Sequence, residues 1–205
     1  MKTPARRAEK GSGNRDRILK AAAVLFRRQG FHGTSTREIA EKAGVSLGNI
    51  YNHFPTKEAM FATLLKDYEE EYFSPSQPLH KVFMSTDFPD NIEALGAASG
   101  RMVEKFGDYM LLMYVDVVEF DAKHISRLFT GMRDRYTAVL RSRPGPAPRL
   151  AEGIDPAAAM MMVVWSFFNY FTMERLFRVK GLYGMEETEV IGMFSEVFRR
   201  GLLPR

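Results

Sequence analysis

The chain has 205 residues, 45% hydrophobic and 26% charged, which fits one mid-sized domain or a small module joined to a larger one and excludes a disordered or fibrous protein. Cysteine is absent, so disulfides, thiolate metal sites and cysteine nucleophiles are excluded and a reducing cytoplasm is the expected compartment. The net charge of +4 is uneven: residues 1–57 hold twelve Lys and Arg against four acids, a balance of +8, while the other 148 residues carry −4, so a polyanion is the expected partner of the N-terminal part.

Residues 1–12 show no apolar periodicity and read as a flexible basic arm, with no apolar run behind Arg6-Arg7 to make a secretory or twin-arginine signal. From Asn14, a candidate N-cap, Ile18, Ala22 and Leu25 recur at helical spacing until Gly30. Ser35-Thr36-Arg37-Glu38 has the form of a capping box for a short second helix ending at Gly44. Ser46 can cap a third over Leu47 to Asn52, and Pro55-Thr56-Lys57 opens a fourth to about Tyr72. Pro75 and Pro78 mark the end of the basic module. A helical stripe then runs from Asp90 to Phe106, and Gly107 is expected to interrupt it before the apolar segment Tyr109 to Phe120. Ile125 to Leu140 reads as one long amphipathic helix ended by Pro144-Gly145-Pro146. Asp155-Pro156 opens a helix reaching about Lys180, and Glu186-Glu187 opens the last, with Ile191, Phe194, Val197, Phe198 and Leu202 on one face. The fold class is therefore all-α with about nine helices: a three-helix head over 13–73, joined by a long helix to a helical domain over 79–205.

Ala157 to Met173 is the most apolar stretch, but a membrane span needs ~20 such residues, and Asn169 within and Glu174-Arg175 behind argue against one. A helix apolar all round must be covered on every side, by its own core and by a second subunit. With the amphipathic final helix it would form a four-helix interface in a twofold homodimer, with Phe167, Phe171, Phe194 and Phe198 as candidate interface residues.

Residues 36–54 meet the requirements of a helix-turn-helix in order. Ile39, Ala43, Val45 and Ile50 supply apolar contacts, Ala40 is small where the helices cross, and Gly44 stands where a left-handed residue ends the first helix. The second helix would enter the major groove of DNA. An ordinary helical hairpin is the alternative, and the basic surplus speaks against it.

The run Ile18-Leu19-Lys20-Ala21-Ala22 through Phe26, Gly30-Phe31, Thr34 to Ala40, Ala43-Gly44-Val45-Ser46, and Gly48-Asn49-Ile50-Tyr51-Asn52-His53-Phe54 with Lys57-Glu58 resembles the DNA-binding head of the tetracycline-repressor (TetR) family. The resemblance covers about residues 13–73; beyond it the chain is similar only in architecture. It implies a homodimeric, cytoplasmic and nucleoid-associated regulator, usually a repressor, that binds a palindromic operator in double-stranded DNA and leaves it when a small molecule binds the core. Together with side-chain chemistry it implies phosphate contacts from Tyr51, His53 and Lys57, and from Ser46 and Thr36 at helix starts. Base reading falls to Leu47, Gly48, Asn49 and Asn52, with Arg37 on the preceding helix. Leu47 departs from the family, which often has a polar residue there, and a leucine offers only apolar contact such as with a thymine methyl.

Thirteen methionines and sixteen phenylalanines suit an adaptable cavity for an apolar or amphipathic effector, with Phe106, Met110, Met113, Tyr114, Val117, Trp165, Phe168 and Asn169 as candidate lining; plain core packing is the alternative for each. Asp116 and Glu119 leave open a cationic ligand, a surface face, or a pairing with Lys123. No phosphate loop, zinc-protease motif or nucleophile elbow occurs, so no enzyme, metal or cofactor is expected; a helical interaction protein without sequence-specific DNA binding is the rival class.

Overall fold

The computed structural model describes residues 4–85, 87–143 and 147–204, with side chains from Gly13 onward except Ser85. Among the described residues there are ten α-helices and no strand: α1 Pro4–Gln29, α2 Thr36–Ala43, α3 Leu47–His53, α4 Lys57–Tyr72, α5 Pro78–Ser85, α6 Ile92–Phe120, α7 Ser126–Thr130, α8 Met132–Ser142, α9 Pro156–Phe171 and α10 Glu187–Leu202.

Four boundaries differ from the sequence reading. Helix α1 begins at Pro4, within the segment read as an arm; Ala5 to Lys10 are mostly good helix formers, while residues 1–3 and the side chains up to residue 12 lie outside the described ones. Gly107 does not end a helix: α6 runs on through it, with one irregular residue, Phe106, at φ −108 and ψ 18. The long helix expected over Ile125 to Leu140 is two, because Gly131 at φ −85, ψ 0 separates α7 from α8. Helix α9 stops at Phe171 and passes into a π-helical turn, Thr172–Leu176, after which Arg178 is left-handed at φ 60.

The chain forms two compact units whose limits are not the linear ones. The first comprises the residues up to Glu70 together with Asp108–Ser126; the second comprises Glu71–Gly107 and the residues from Arg127 on. In the first unit Ile18, Ala22 and Phe26 of α1, Ile39 of α2, Ile50 of α3 and Met60 and Phe61 of α4 are buried, as the helical stripes require. The C-terminal half of α6 completes this core through an aromatic cluster. Phe120 stacks on Phe61 at 5.1 Å, meets Phe31 edge-on at 4.6 Å, and contacts the His124 ring at 4.9 Å.

In the second unit α6 and α9 approach closely because α6 carries two glycines. A Cβ at Gly96 would lie 2.8 Å from the Phe167 ring, and one at Gly100 would lie 2.9 Å from the Phe171 ring. Both phenylalanines are fully buried here. Arg175 of the π-helical turn fastens the contact: it donates to the Gly100 carbonyl, pairs with Glu187 at 2.9 Å, and lies 4.7 Å from the Phe171 ring centre. No helix of the described residues is long and apolar enough to cross a membrane.

Candidate nucleic-acid interface

The geometry of the head follows from its caps. Ser35 accepts from the Glu38 N–H and its own N–H donates to the Glu38 carboxylate at 2.7 Å, closing the capping box that starts α2. The Ser35 hydroxyl and N–H hold the Glu38 carboxyl below the usual glutamate value. Gly44 ends α2 in the left-handed region at φ 62, ψ 43, and its N–H donates to the Ala40 and Glu41 carbonyls. Two residues later Ser46 caps α3, accepting from the Asn49 N–H at 3.2 Å.

This turn buries Ile50 and Phe54 and leaves the opposite side of α3 in solvent. Leu47, Gly48, Tyr51 and Asn52 are exposed, as is Arg37 on α2, while Thr36, Asn49 and His53 are half-buried. Tyr51, 52% exposed with its hydroxyl 3.4 Å from the Thr36 hydroxyl, is free of the packing that claims Phe54. The Asn49 Oδ1 is buried without a hydrogen-bond partner among the described residues. Nine of the ten residues expected to meet DNA are thus brought together around the start of α2 and the outer side of α3. The tenth, Lys57, is directed elsewhere: its ammonium donates to the carbonyls of Phe31 at 2.7 Å and Thr34 at 2.6 Å. Burial pushes its pKa below the ordinary lysine value, against the pull of Glu119 and Glu38.

Asp116 and Glu119, for which a cationic ligand, a surface face or a pairing with Lys123 stood open, bond backbone N–H groups instead. Glu119 accepts from the N–H groups of Phe31 at 2.8 Å and His32 at 2.6 Å, and its carboxylate lies 2.6 Å from the His32 Nδ1. Burial works to raise its pKa, yet those N–H groups and the imidazole outweigh it and leave the carboxyl below the usual value. Asp116 is fully buried; it accepts from the backbone N–H groups of His124 and Ile125 at 3.1 Å each and lies 2.5 Å from the His124 Nδ1. Lys123 pairs with Glu58 at 2.6 Å, so neither carboxylate of α6 takes it. An acid inside an apolar helical run that must bond something was the only available signal, and it does not say which loop.

The candidate effector residues fall in both units. Met110, Met113, Tyr114 and Val117 belong to the first, where Tyr114 and Val117 are about half exposed. In the second, Phe106 and Phe168 both contact Tyr72, at 5.2 and 6.1 Å between ring centres. Trp165 and Asn169 instead line an open groove of about 750 Å³ between α9 and α10, with Met162, Phe194, Val197 and Phe198. The candidate interface residues also divide. Phe194 and Phe198 reach this groove, whereas Phe167 and Phe171 point into the unit's own core against Gly96 and Gly100 and present nothing to a partner. Among the described residues no three His, Asp or Glu side chains are grouped as for a metal ion.

A short, solvent-facing helix that follows a glycine turn and an α2 start rich in hydroxyl and cationic groups has the geometry of a helix-turn-helix. Residues 18–64 match the family described as "Bacterial regulatory proteins, tetR family". Similar proteins include the transcriptional repressor KstR2 of Rhodococcus jostii, 28% identical over 64% of this chain and 65% of that one. The transcriptional regulator RutR of Escherichia coli is 36% identical over 40% of this chain and 39% of its own. The chain therefore spans less than two thirds of the length of these curated relatives. The solved structure of the ketosteroid transcriptional regulator KstR2 of Mycobacterium tuberculosis has the same fold, with a TM-score of 0.59 at 17% identity over 93% of this chain and 95% of that one. The chain thus carries a segment of the TetR family at residues 18–64.

Proposed function

We propose that this protein is a homodimeric repressor that binds a palindromic operator through α3 and the start of α2. The observation that carries the reading is the outer side of α3, where Leu47, Gly48, Tyr51 and Asn52 are exposed while Ile50 on the same helix is wholly buried. Tyr51, Thr36, Ser46 and His53 hold phosphates, and Arg37 and Asn52 read base edges, with Asn49, whose Oδ1 is buried, offering only its Nδ2. Leu47 offers a methyl contact only, so one position of each half-site favours thymine.

The second copy sits on the groove between α9 and α10. Met162, Trp165 and Val197 are 53%, 45% and 63% exposed there, a contiguous apolar surface of a kind that marks an interface. Trp165 and Asn169 then belong to the dimer rather than to an effector cavity. A small apolar or amphipathic effector that binds the helical C-terminal part releases the operator, and the protein acts in the cytoplasm.

Selection of duplexes from a random pool, with sedimentation of the purified chain, tests the whole reading. A symmetric consensus and a dimer are expected, with half-sites one helical turn or a multiple apart. A monomer that enriches no sequence refutes it. Screening apolar compounds by thermal shift tests the effector, since a ligand that binds only the folded chain raises its melting temperature.

A further inference from the structure

Two cations counted in the basic surplus of the head are bonded to its own backbone carbonyls. Arg17 on α1 donates from Nη2 to the carbonyls of Ala43 at 2.5 Å and Gly44 at 2.9 Å. These are the last carbonyls of α2 and the first of the turn that aims α3; helix-end carbonyls lack partners within the helix and attract a cation. A side chain at Gly44 would meet Arg17, its Cβ falling 2.7 Å from Nη2.

Lys57, the first residue of α4, does the same at the other end of α2. Its ammonium spans the Phe31 and Thr34 carbonyls and lies 4.2 Å from the Phe31 ring centre. The rest of that loop is held as firmly. The Thr34 hydroxyl donates to the Gly30 carbonyl at 2.7 Å, the Gln29 amide to the Gly33 carbonyl at 2.8 Å, and Glu119 takes the Phe31 and His32 N–H groups. Charge-assisted bonds of this type are about twice as strong as neutral ones, and a phosphate would have to compete with two at each cation.

We infer that Arg17 and Lys57 are positioning residues of the DNA-binding head: by holding the loops at both ends of α2 they fix the aim of α3, and neither grips the DNA backbone. This rests on the DNA-binding reading given above. It divides the head's positive charge into a part that releases counterions on binding and a part that does not.

The test uses the full chain, the duplex that wild type enriches from a random pool, and a mixed-sequence duplex of equal length, each titrated across a salt series. Arg17→Met and Lys57→Met remove the charge and keep the apolar stem; Arg17→Lys and Lys57→Arg keep the charge and change the hydrogen-bonding shape. A positioning role gives both Met variants the wild-type slope of log affinity against log salt, a loss of roughly ten-fold or more on the enriched duplex, and mixed-sequence affinity within about two-fold of wild type. The charge-keeping swaps lose affinity on the enriched duplex as well. The inference is overturned if the slope flattens by about 0.9 for each contact removed, with equal loss on both duplexes, or if the charge-keeping swaps bind as wild type does. Should circular dichroism show the Met variants unfolded, the charge-keeping pair decides alone by the same criteria. Failure of the DNA-binding reading is distinct, since wild type would then enrich no duplex at all.

Discussion

Replacing Glu119 by Gln should loosen the loop between α1 and α2 through a single atom. The carboxylate presents two accepting oxygens, one to the Phe31 N–H and the other to the His32 N–H and imidazole. In the amide one oxygen becomes an NH2 group, so whichever way it turns a backbone N–H faces a donor. A hydrogen bond to a charged group contributes about 1.5–3 kcal/mol, and since the His32 side of the site is open to water the expected loss is about 2 kcal/mol. For a chain of this size that lowers the melting temperature by roughly 4–8 °C. The pH dependence has a definite sign. The folded carboxyl titrates below its reference value of 4.5, so its contribution is fully present above that pH and is lost as pH falls through the folded value. The gap in stability between wild type and the Glu119→Gln variant should shrink as pH falls below 4.5. Calorimetric melts across that range measure it. A gap below about 0.5 kcal/mol at neutral pH, or one that grows on acidification, would refute the role given to Glu119.

Other substitutions separate the two units. Gly44→Ala forces a side chain into the left-handed region and against Arg17, and should cost about 1–2 kcal/mol or more in urea unfolding. Phe171→Ala empties the space over Gly100 and should cost about 3–5 kcal/mol, read as a lower melting temperature. Val197→Asp, at a side chain 63% exposed, should leave helicity unchanged while sedimentation shifts from dimer to monomer; a persisting dimer would move the interface away from the groove.

The head was legible because its determinants are local. Ser35 and Glu38 are three residues apart, Ser46 and Asn49 likewise, and a left-handed end to α2 at Gly44 needs only the residue type. The outer side of α3 follows once Ile50 is recognised as core. What could not be read is which partner a long side chain finds. Lys57 closes a motif that the family likeness links to phosphate, yet the carbonyls it meets lie 23 and 26 residues earlier, and those Arg17 meets lie 26 and 27 residues later. Charge counting gives the same answer whether a cation faces DNA or a peptide carbonyl. The division of α9 was hidden for a related reason. Apolar on every side, it offers no moment to say which phenylalanines turn inward, and the decision is made by a second helix, where Gly96 and Gly100 admit the rings of Phe167 and Phe171 and leave Met162 and Trp165 outside. An interface assigned from the largest aromatics of such a helix selects the residues that its own core takes first, whereas small residues on the neighbouring helix mark the buried side, and the outer face is found opposite them.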